Sequence, residues 1–279
     1  MKCIITAGGL GTRLIPLTKI IPKEMLPIYD LGVNNKLVLK PILQVIFESL
    51  YKFDIREFCF IVGKTKKSVE IHFKNNSDLI KNLNHNKSLE LKKELQNLEQ
   101  KIKKSKILFV TQMNQEGFGN AIECGRKFTK NEPFLLHAGD DIVISKNNNH
   151  IKNLVRNFKE FDADIAFLVE RVKNPTQYGV VEGKKISKNI IFVEKIEEKP
   201  KKPKSNLAIV GIYMFKPKIF EYLQKSKRKS NNERQLDRAF QLALQNNSKI
   251  IGVILEKNEK RLDIGTPTNY VRVLKSLET

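Results

Sequence analysis

The strongest constraint on the fold of this chain is a rhythm of short apolar runs separated by longer stretches of helical spacing. The runs are Cys3 to Thr6, Phe58 to Val62, Ile107 to Val110, Phe134 to His137 and Ile165 to Val169. A strand covered on both faces reads as a continuous apolar run, and parallel neighbours require a crossover, usually helical, between them. Pro41 to Tyr51 carries the first such helix, with Ile42, Val45, Ile46 and Leu50 spaced for one face and Pro41 suited to the first turn. Further helices are expected over 65–73, 119–129, 151–161, 233–246 and 268–277. The 279 residues, 41% of them hydrophobic, suffice for a large core. The expected class is α/β, a mostly parallel sheet flanked by helices.

After about residue 175 the pattern changes. Shorter strands are expected around Val180, Ile190 to Val193 and Ala208 to Phe215, with no helix between them until 217, as in an antiparallel addition to the parallel core. Residues 76–106, rich in Lys, Asn and Glu, place Leu83, Leu91, Leu95, Leu98 and Ile102 at helical spacing. This segment reads either as a long amphipathic excursion or as a disordered insert. No repeat or low-complexity linker divides the chain, so residues 1–279 are expected to form one unit.

Composition narrows the function classes. No stretch of about 18 uncharged apolar residues occurs, and Met1 to Ile5 runs into glycines without a signal-peptide core, so a cytoplasmic protein is expected. Three cysteines, Cys3, Cys59 and Cys124, are odd in number and far apart, which suits buried thiols better than disulfides or a zinc site. A net charge of +21 fits a phosphate-rich partner: nucleic acid, a membrane surface or small phosphorylated metabolites. Charge alone does not choose among them. The lysine clusters at 64–67, 101–106, 199–204 and 225–229 lack aromatic interleaving and also read as solvated surface.

Directly after the first strand stands Ala7-Gly8-Gly9-Leu10-Gly11-Thr12-Arg13, a turn whose backbone amides can approach a triphosphate because three side chains are absent. It lacks the Gly-Lys-Ser/Thr of the P-loop and the third glycine of the dinucleotide fingerprint. Pro16-Leu17-Thr18-Lys19 and then Pro22-Lys23-Glu24-Met25-Leu26-Pro27 continue it, so Arg13 and Lys23 add a planar fork and a point charge. This long motif resembles the signature of the bacterial and archaeal sugar-1-phosphate nucleotidylyltransferases, and the Pro-Lys-Glu-Met-Leu-Pro part resembles their uridylyl branch. The resemblance implies a Rossmann-like fold of the nucleotidyltransferase and glycosyltransferase-A kind, with a small antiparallel sugar-binding addition. It also implies Mg²⁺-assisted transfer from UTP to glucose-1-phosphate, with UDP-glucose and pyrophosphate as products.

By the same resemblance, Arg13 and Lys23 are the catalytic cations, and Ala7, Gly8, Gly9, Gly11, Thr12, Gln112 and Gly117 bind the nucleotide. Gln112 stands at a strand end with both a donor and an acceptor, and Gly117 opens Gly117-Phe118-Gly119-Asn120-Ala121, which resembles the family's G-x-G-x-A. Carboxylates at strand ends suit Mg²⁺. Asp140, in Gly139-Asp140-Asp141, and Asp263, in Leu262-Asp263-Ile264-Gly265-Thr266, resemble the family's metal positions; their pairing comes from the family, and Asp141 remains an alternative to Asp140. Gly179 in Tyr178-Gly179-Val180-Val181 and Glu198 in Glu198-Lys199-Pro200 are assigned to sugar hydroxyls, and Lys199 to the sugar phosphate. Residues 1–170 would then hold mainly the nucleotide, and 171–279 mainly the sugar and the second metal aspartate.

No covalent intermediate is required, because a phosphate monoester dianion is itself a nucleophile. Accordingly, His72, His85, His137 and His150 carry no motif, and His137 reads as structural. The sequence departs from the family pattern at Leu31 to Leu39, an insertion, at 76–106, and at Asp237, one place early after Glu233-Arg234-Gln235-Leu236. The chain stops soon after the Asp263 motif, so the C-terminal extension of many bacterial relatives, and a dimer built from it, is not expected. Substrates are the expected partners, without nucleic acid or membrane, and a homo-oligomer is compatible. A thymidylyltransferase or dual UTP/dTTP enzyme is the nearest alternative, since one methyl group separates the bases; a non-catalytic nucleotide-sugar or nucleic-acid binder is the remote one.

Overall fold

The computed structural model describes residues 1–74, 89–114, 116–226 and 236–277. Strand β1 (Lys2–Ala7) is buried along its whole length and ends at the glycine turn. A hairpin of β2 (Pro27–Leu31) and β3 (Leu37–Pro41) leads into helix α1 (Ile42–Lys52). β4 (Glu57–Gly63), α2 (Lys67–His72), α3 (Leu89–Lys103) and β5 (Lys106–Gln112) follow. The helix expected over 119–129 is two pieces, α4 (Gly117–Cys124) and α5 (Arg126–Thr129), interrupted at Gly125, where a Cβ would collide with Ile4 of β1. Next come β6 (Phe134–Ala138), β7 (Asp141–Ile144), α6 (Asn149–Glu160) and β8 (Ile165–Arg171). The last third holds β9 (Gly179–Ser187), β10 (Ile190–Glu198), β11 (Leu207–Phe215), α7 (Ile219–Lys225), α8 (Leu236–Gln245), β12 (Ile250–Ile254), β13 (Lys260–Asp263) and α9 (Pro267–Leu277).

Among the described residues, nine strands form one sheet in the order β5-β4-β1-β6-β11-β8-β12-β10-β9. The β5-β4-β1-β6 half is parallel, as the apolar runs require. Beyond it the sheet is mixed: β11 runs antiparallel to both β6 and β8, β12 parallel to β8, and β10 antiparallel to β12 and β9. The antiparallel strands are therefore not all an addition at one edge, because β11 is inserted in the middle. β9 also curls back to meet β11 at Val180 and Ala208.

Alternation along β1 shows the two covered faces. Cys3 and Ile5 face a core with Phe47 of α1 and Leu154 and Phe158 of α6; Ile4 faces one with Ile122 of α4, Phe220 of α7 and Phe240 of α8. Cys3 and Cys59 are fully buried free thiols. The insertion Leu31 to Leu39 is the hairpin end, and it is tied to α3: Lys36 pairs with Glu90 at 2.8 Å, and Val33 N–H donates to Glu94. Leu83 and residues 233–235 of the expected elements lie outside the described residues. No helix among the described residues is long and apolar enough to cross a membrane.

Candidate active site

The glycine turn after β1, the Gly139-Asp140 turn after β6 and the facing ends of β9 and β10 surround a cleft of about 920 Å³. Arg13, Asp140, Gly179, Glu198, Lys199 and Asp263 all line it. These residues lie far apart in sequence, and the strand order gathers them.

A short ladder brings Asp263 to the strand that follows the Gly139-Asp140 turn. β7 and β13 pair antiparallel, with Asp263 opposite Asp141. Asp141 is occupied: the Arg261 guanidinium grips it with Nε at 2.8 Å and Nη2 at 2.6 Å, and Gly211 N–H donates to its Oδ2 at 2.8 Å. Asp140 instead accepts from Lys23 Nζ and faces the cleft. Burial opposes ionisation of Asp140, but the Lys23 ammonium outweighs it and holds the carboxyl below its usual range. Burial likewise opposes the Lys23 charge, and Asp140 and Glu24 outweigh it, so the ammonium stays protonated above the usual lysine value. Asp263 is held by Gly265 N–H at 2.7 Å and Asn269 Nδ2 at 3.3 Å. A Cβ on Gly265 would stand 2.7 Å from Arg13 Nη2, so bare backbone there makes room for the Arg13 guanidinium.

Among the described residues no three His, Cys, Asp or Glu side chains converge as a ready metal cage. Two carboxylates, Asp140 and Asp263, with Asp141 withdrawn by Arg261, form an oxygen-only donor pair that suits a hard cation completing its shell with water and phosphate. The carboxylate oxygens of Asp140 and Asp263 fit a divalent cation.

The glycine turn is shaped by its neighbours. Gly11 has φ +67°, the left-handed region that favours glycine, and its carbonyl accepts from Thr18 Oγ1 at 2.8 Å. Thr12 and Arg13 begin the next short turn and are exposed. Gln112, at the end of β5, is buried; its Nε2 donates to Gly117 O at 3.2 Å and Asn120 Oδ1 at 2.8 Å, and its Oε1 occupies the space a Cβ on Gly8 would take. Ala7, Gly8, Gly9, Gln112 and Gly117 thus cluster on the β1-β5 side, next to the cleft residue Phe118.

On the far wall, Gly179 and Glu198 are direct partners in the β9-β10 ladder, and a Cβ on Gly179 would sit 3.0 Å from Glu198 Oε2. Lys199 has φ +46° and its N–H donates to Tyr178 O at 3.0 Å, which turns the chain at the cleft. The Lys199-Glu198 contact is 3.4 Å with side chains 62% and 47% exposed, so it contributes little by itself and leaves both groups available. His137 is buried in β6, where Nδ1 meets Ala138 O at 2.8 Å and burial lowers its pKa.

Three residues of this arrangement are invisible in the sequence reading. Arg261, which also lies over the Tyr178 ring at 4.9 Å, stands two residues before Asp263, a same-face spacing in a strand that could have flagged it. Glu24 sits inside the recognised motif, but its partner Lys66 lies in a lysine cluster that reads as surface.

The sequence pattern of the nucleotidyl transferase family matches residues 2–279. A UTP–glucose-1-phosphate uridylyltransferase of Staphylococcus haemolyticus is 35% identical over 274 residues, 97% of this chain and 90% of that protein. A solved apo UDP-glucose pyrophosphorylase superposes with a TM-score of 0.85 at 29% identity, covering 99% of this chain and 97% of that one. A UDP-glucose pyrophosphorylase complexed with UDP-glucose gives 0.83 at 30% identity, over 99% and 98% of the two chains. With the family pattern matched over nearly its whole length and a relative 35% identical across 97% of it, this chain belongs to the nucleotidyl transferase family.

Proposed function

We propose that this protein is an enzyme that transfers the uridylyl group of UTP to glucose-1-phosphate, giving UDP-glucose and pyrophosphate. The observation that carries this reading is the meeting of Arg13, Asp140 and Asp263 with Glu198 and Lys199 in one cleft, on a chain 35% identical to a named uridylyltransferase. A phosphate oxygen of the sugar phosphate attacks the α-phosphorus of UTP, and the bond from that phosphorus to the bridging oxygen of the leaving pyrophosphate breaks. Arg13 and Lys23 bind and orient the triphosphate. Asp140 and Asp263 hold Mg²⁺, which when bound supplies neutralising charge to the triphosphate oxygens. Ala7, Gly8, Gly9, Gly11, Thr12, Gln112 and Gly117 hold the nucleotide, Gly179 and Glu198 the sugar hydroxyls, and Lys199 the sugar phosphate. Alignment and charge neutralisation of this kind can together lower a barrier by roughly 7 kcal/mol or more.

In this reading residues 1–170 serve mainly the nucleotide and 171–279 mainly the sugar, within one unit. The partners are the two small-molecule substrates in the cytoplasm, and neither nucleic acid nor membrane is needed. The test is pyrophosphate release with Mg²⁺ over a grid of UTP, dTTP, ATP, CTP and GTP against glucose-, galactose- and N-acetylglucosamine-1-phosphate. A dominant UTP and glucose-1-phosphate combination is expected. Comparable dTTP turnover would make it a dual enzyme, and silence throughout would remove the catalytic reading.

A further inference from the structure

Behind Lys23 lies a second ion pair that does not line the cleft. Glu24 Oε2 and Lys66 Nζ are 2.7 Å apart, with side chains only 1% and 8% exposed. Lys66 comes from the loop between β4 and α2, so the pair ties the short turn Lys23–Met25 to the sheet. Glu24 also touches the other side of the site, since a Cβ on Gly139 would lie 3.2 Å from Glu24 Cγ and 2.6 Å from Thr6 O. The Glu24 side chain is therefore packed between the turn that carries Lys23 and the turn that carries Asp140. The charges alternate along Lys66, Glu24, Lys23 and Asp140: Lys66 pairs with Glu24, Lys23 pairs with Asp140, and Lys23 and Glu24 are neighbours in sequence.

Stability does not account for this pair, because the desolvation of two buried charges roughly cancels their attraction and apolar side chains of the same volume hold a core as well or better. What the pair supplies is direction. A residue adjacent in sequence to Lys23 is clamped at its charged end, so the backbone under Lys23 is fixed while its ammonium is free to exchange partners. We propose that Lys66 is a positioning residue: through Glu24 it locks the Lys23–Met25 turn against the Gly139-Asp140 turn, so that Lys23 can pass from Asp140 to the triphosphate without displacing either turn. This role rests on the uridylyl-transfer reading.

The test is the double variant Glu24→Gln with Lys66→Met, which removes both charges at nearly constant volume, alongside Lys66→Arg, which keeps the ion pair. Thermal unfolding, kcat, and KM for UTP and for glucose-1-phosphate are measured with Mg²⁺, and turnover is normalised to the folded fraction. The double variant is expected to unfold at or above the wild-type temperature, to lose roughly 10- to 100-fold in kcat, and to keep KM for glucose-1-phosphate within about twofold. Lys66→Arg should retain most of the turnover. Wild-type kcat per folded double variant would overturn the role of Lys66, and this normalisation decides the matter even where part of the protein is unfolded. The wild-type enzyme in the same assay separates the two ideas: silence there sinks the uridylyl-transfer reading itself, whereas an active wild type matched by an equally active double variant sinks only the positioning role.

Discussion

At the residue scale, neighbouring aspartates have different partners, and this separates two kinds of loss. Asp140→Ala and Lys23→Ala should each cut turnover by about 100-fold or more while the protein still folds, checked by pyrophosphate release and circular dichroism. Asp141→Asn should do the reverse in kind. It strips Arg261 of its carboxylate partner, whose side chain is 8% exposed against 10% for the arginine, and breaking a buried pair costs about 3–5 kcal/mol, read in a urea titration. Near wild-type stability of Asp141→Asn would refute that account. Gly265→Ala offers a finer probe: its methyl group first meets the far end of the long Arg13 side chain and an Asp263 oxygen, so folding should be little affected while kcat falls about tenfold or more. Asp140 stands directly after the apolar run ending at His137 and Ala138, whereas Asp263 is singled out only by its resemblance to the family motif. Arg261 and Lys66 were not legible, because an arginine in a four-residue strand and a lysine between exposed Lys64 and Lys67 look like surface until their partners are placed.

At the element scale, β13 is the weakest signal with the largest consequence. Lys260–Asp263 has one buried apolar residue, Leu262, and nothing in its composition announces a strand, yet its ladder with β7 sets Asp263 opposite Asp141, in the cleft that Asp140 also lines. Leu262→Ala should cost about 2–5 kcal/mol and also raise the Mg²⁺ concentration giving half-maximal turnover, since the strand carrying Asp263 loosens. An unchanged metal titration in a destabilised variant would detach the ladder from the site. The long apolar strands were legible because burial on two faces leaves a one-dimensional trace. The place of β11 was not, since the run Leu207–Phe215 is equally apolar at an edge or in the middle, and only its pairing with both β6 and β8 decides. The hairpin end and α3, two segments without a counterpart in the motif pattern, prove to be partners. Behind them Lys40 is 2.9 Å from Glu48, and Glu48 is 3.0 Å from Lys101, a network that spacing along the chain does not suggest.

At the scale of the whole molecule, acidity and ionic strength act on different properties. His150 is buried, and burial together with the nearby His137 lowers its pKa to about 3. Its folded pKa is below the unfolded value of about 6.5, so its contribution is full above that value and is lost as pH falls toward 3. The fall is at most about 1.4 kcal/mol per pH unit, and His150→Gln should flatten the unfolding temperature against pH between about 6 and 4. The net charge of +21 should draw in polyanionic substrates, so KM for UTP is expected to rise with added KCl while kcat changes less.

The central position of β11 also sets a timetable for the nascent chain. Strands β5, β4, β1 and β6 can assemble as soon as residue 138 has left the ribosome, but the flank of β6 stays open until Leu207–Phe215 emerges to cover it. An uncovered strand flank invites pairing with other chains. A fragment ending at residue 170 should therefore precipitate, however complete its nucleotide loop, and co-expression of residues 171–279 should keep it in the supernatant.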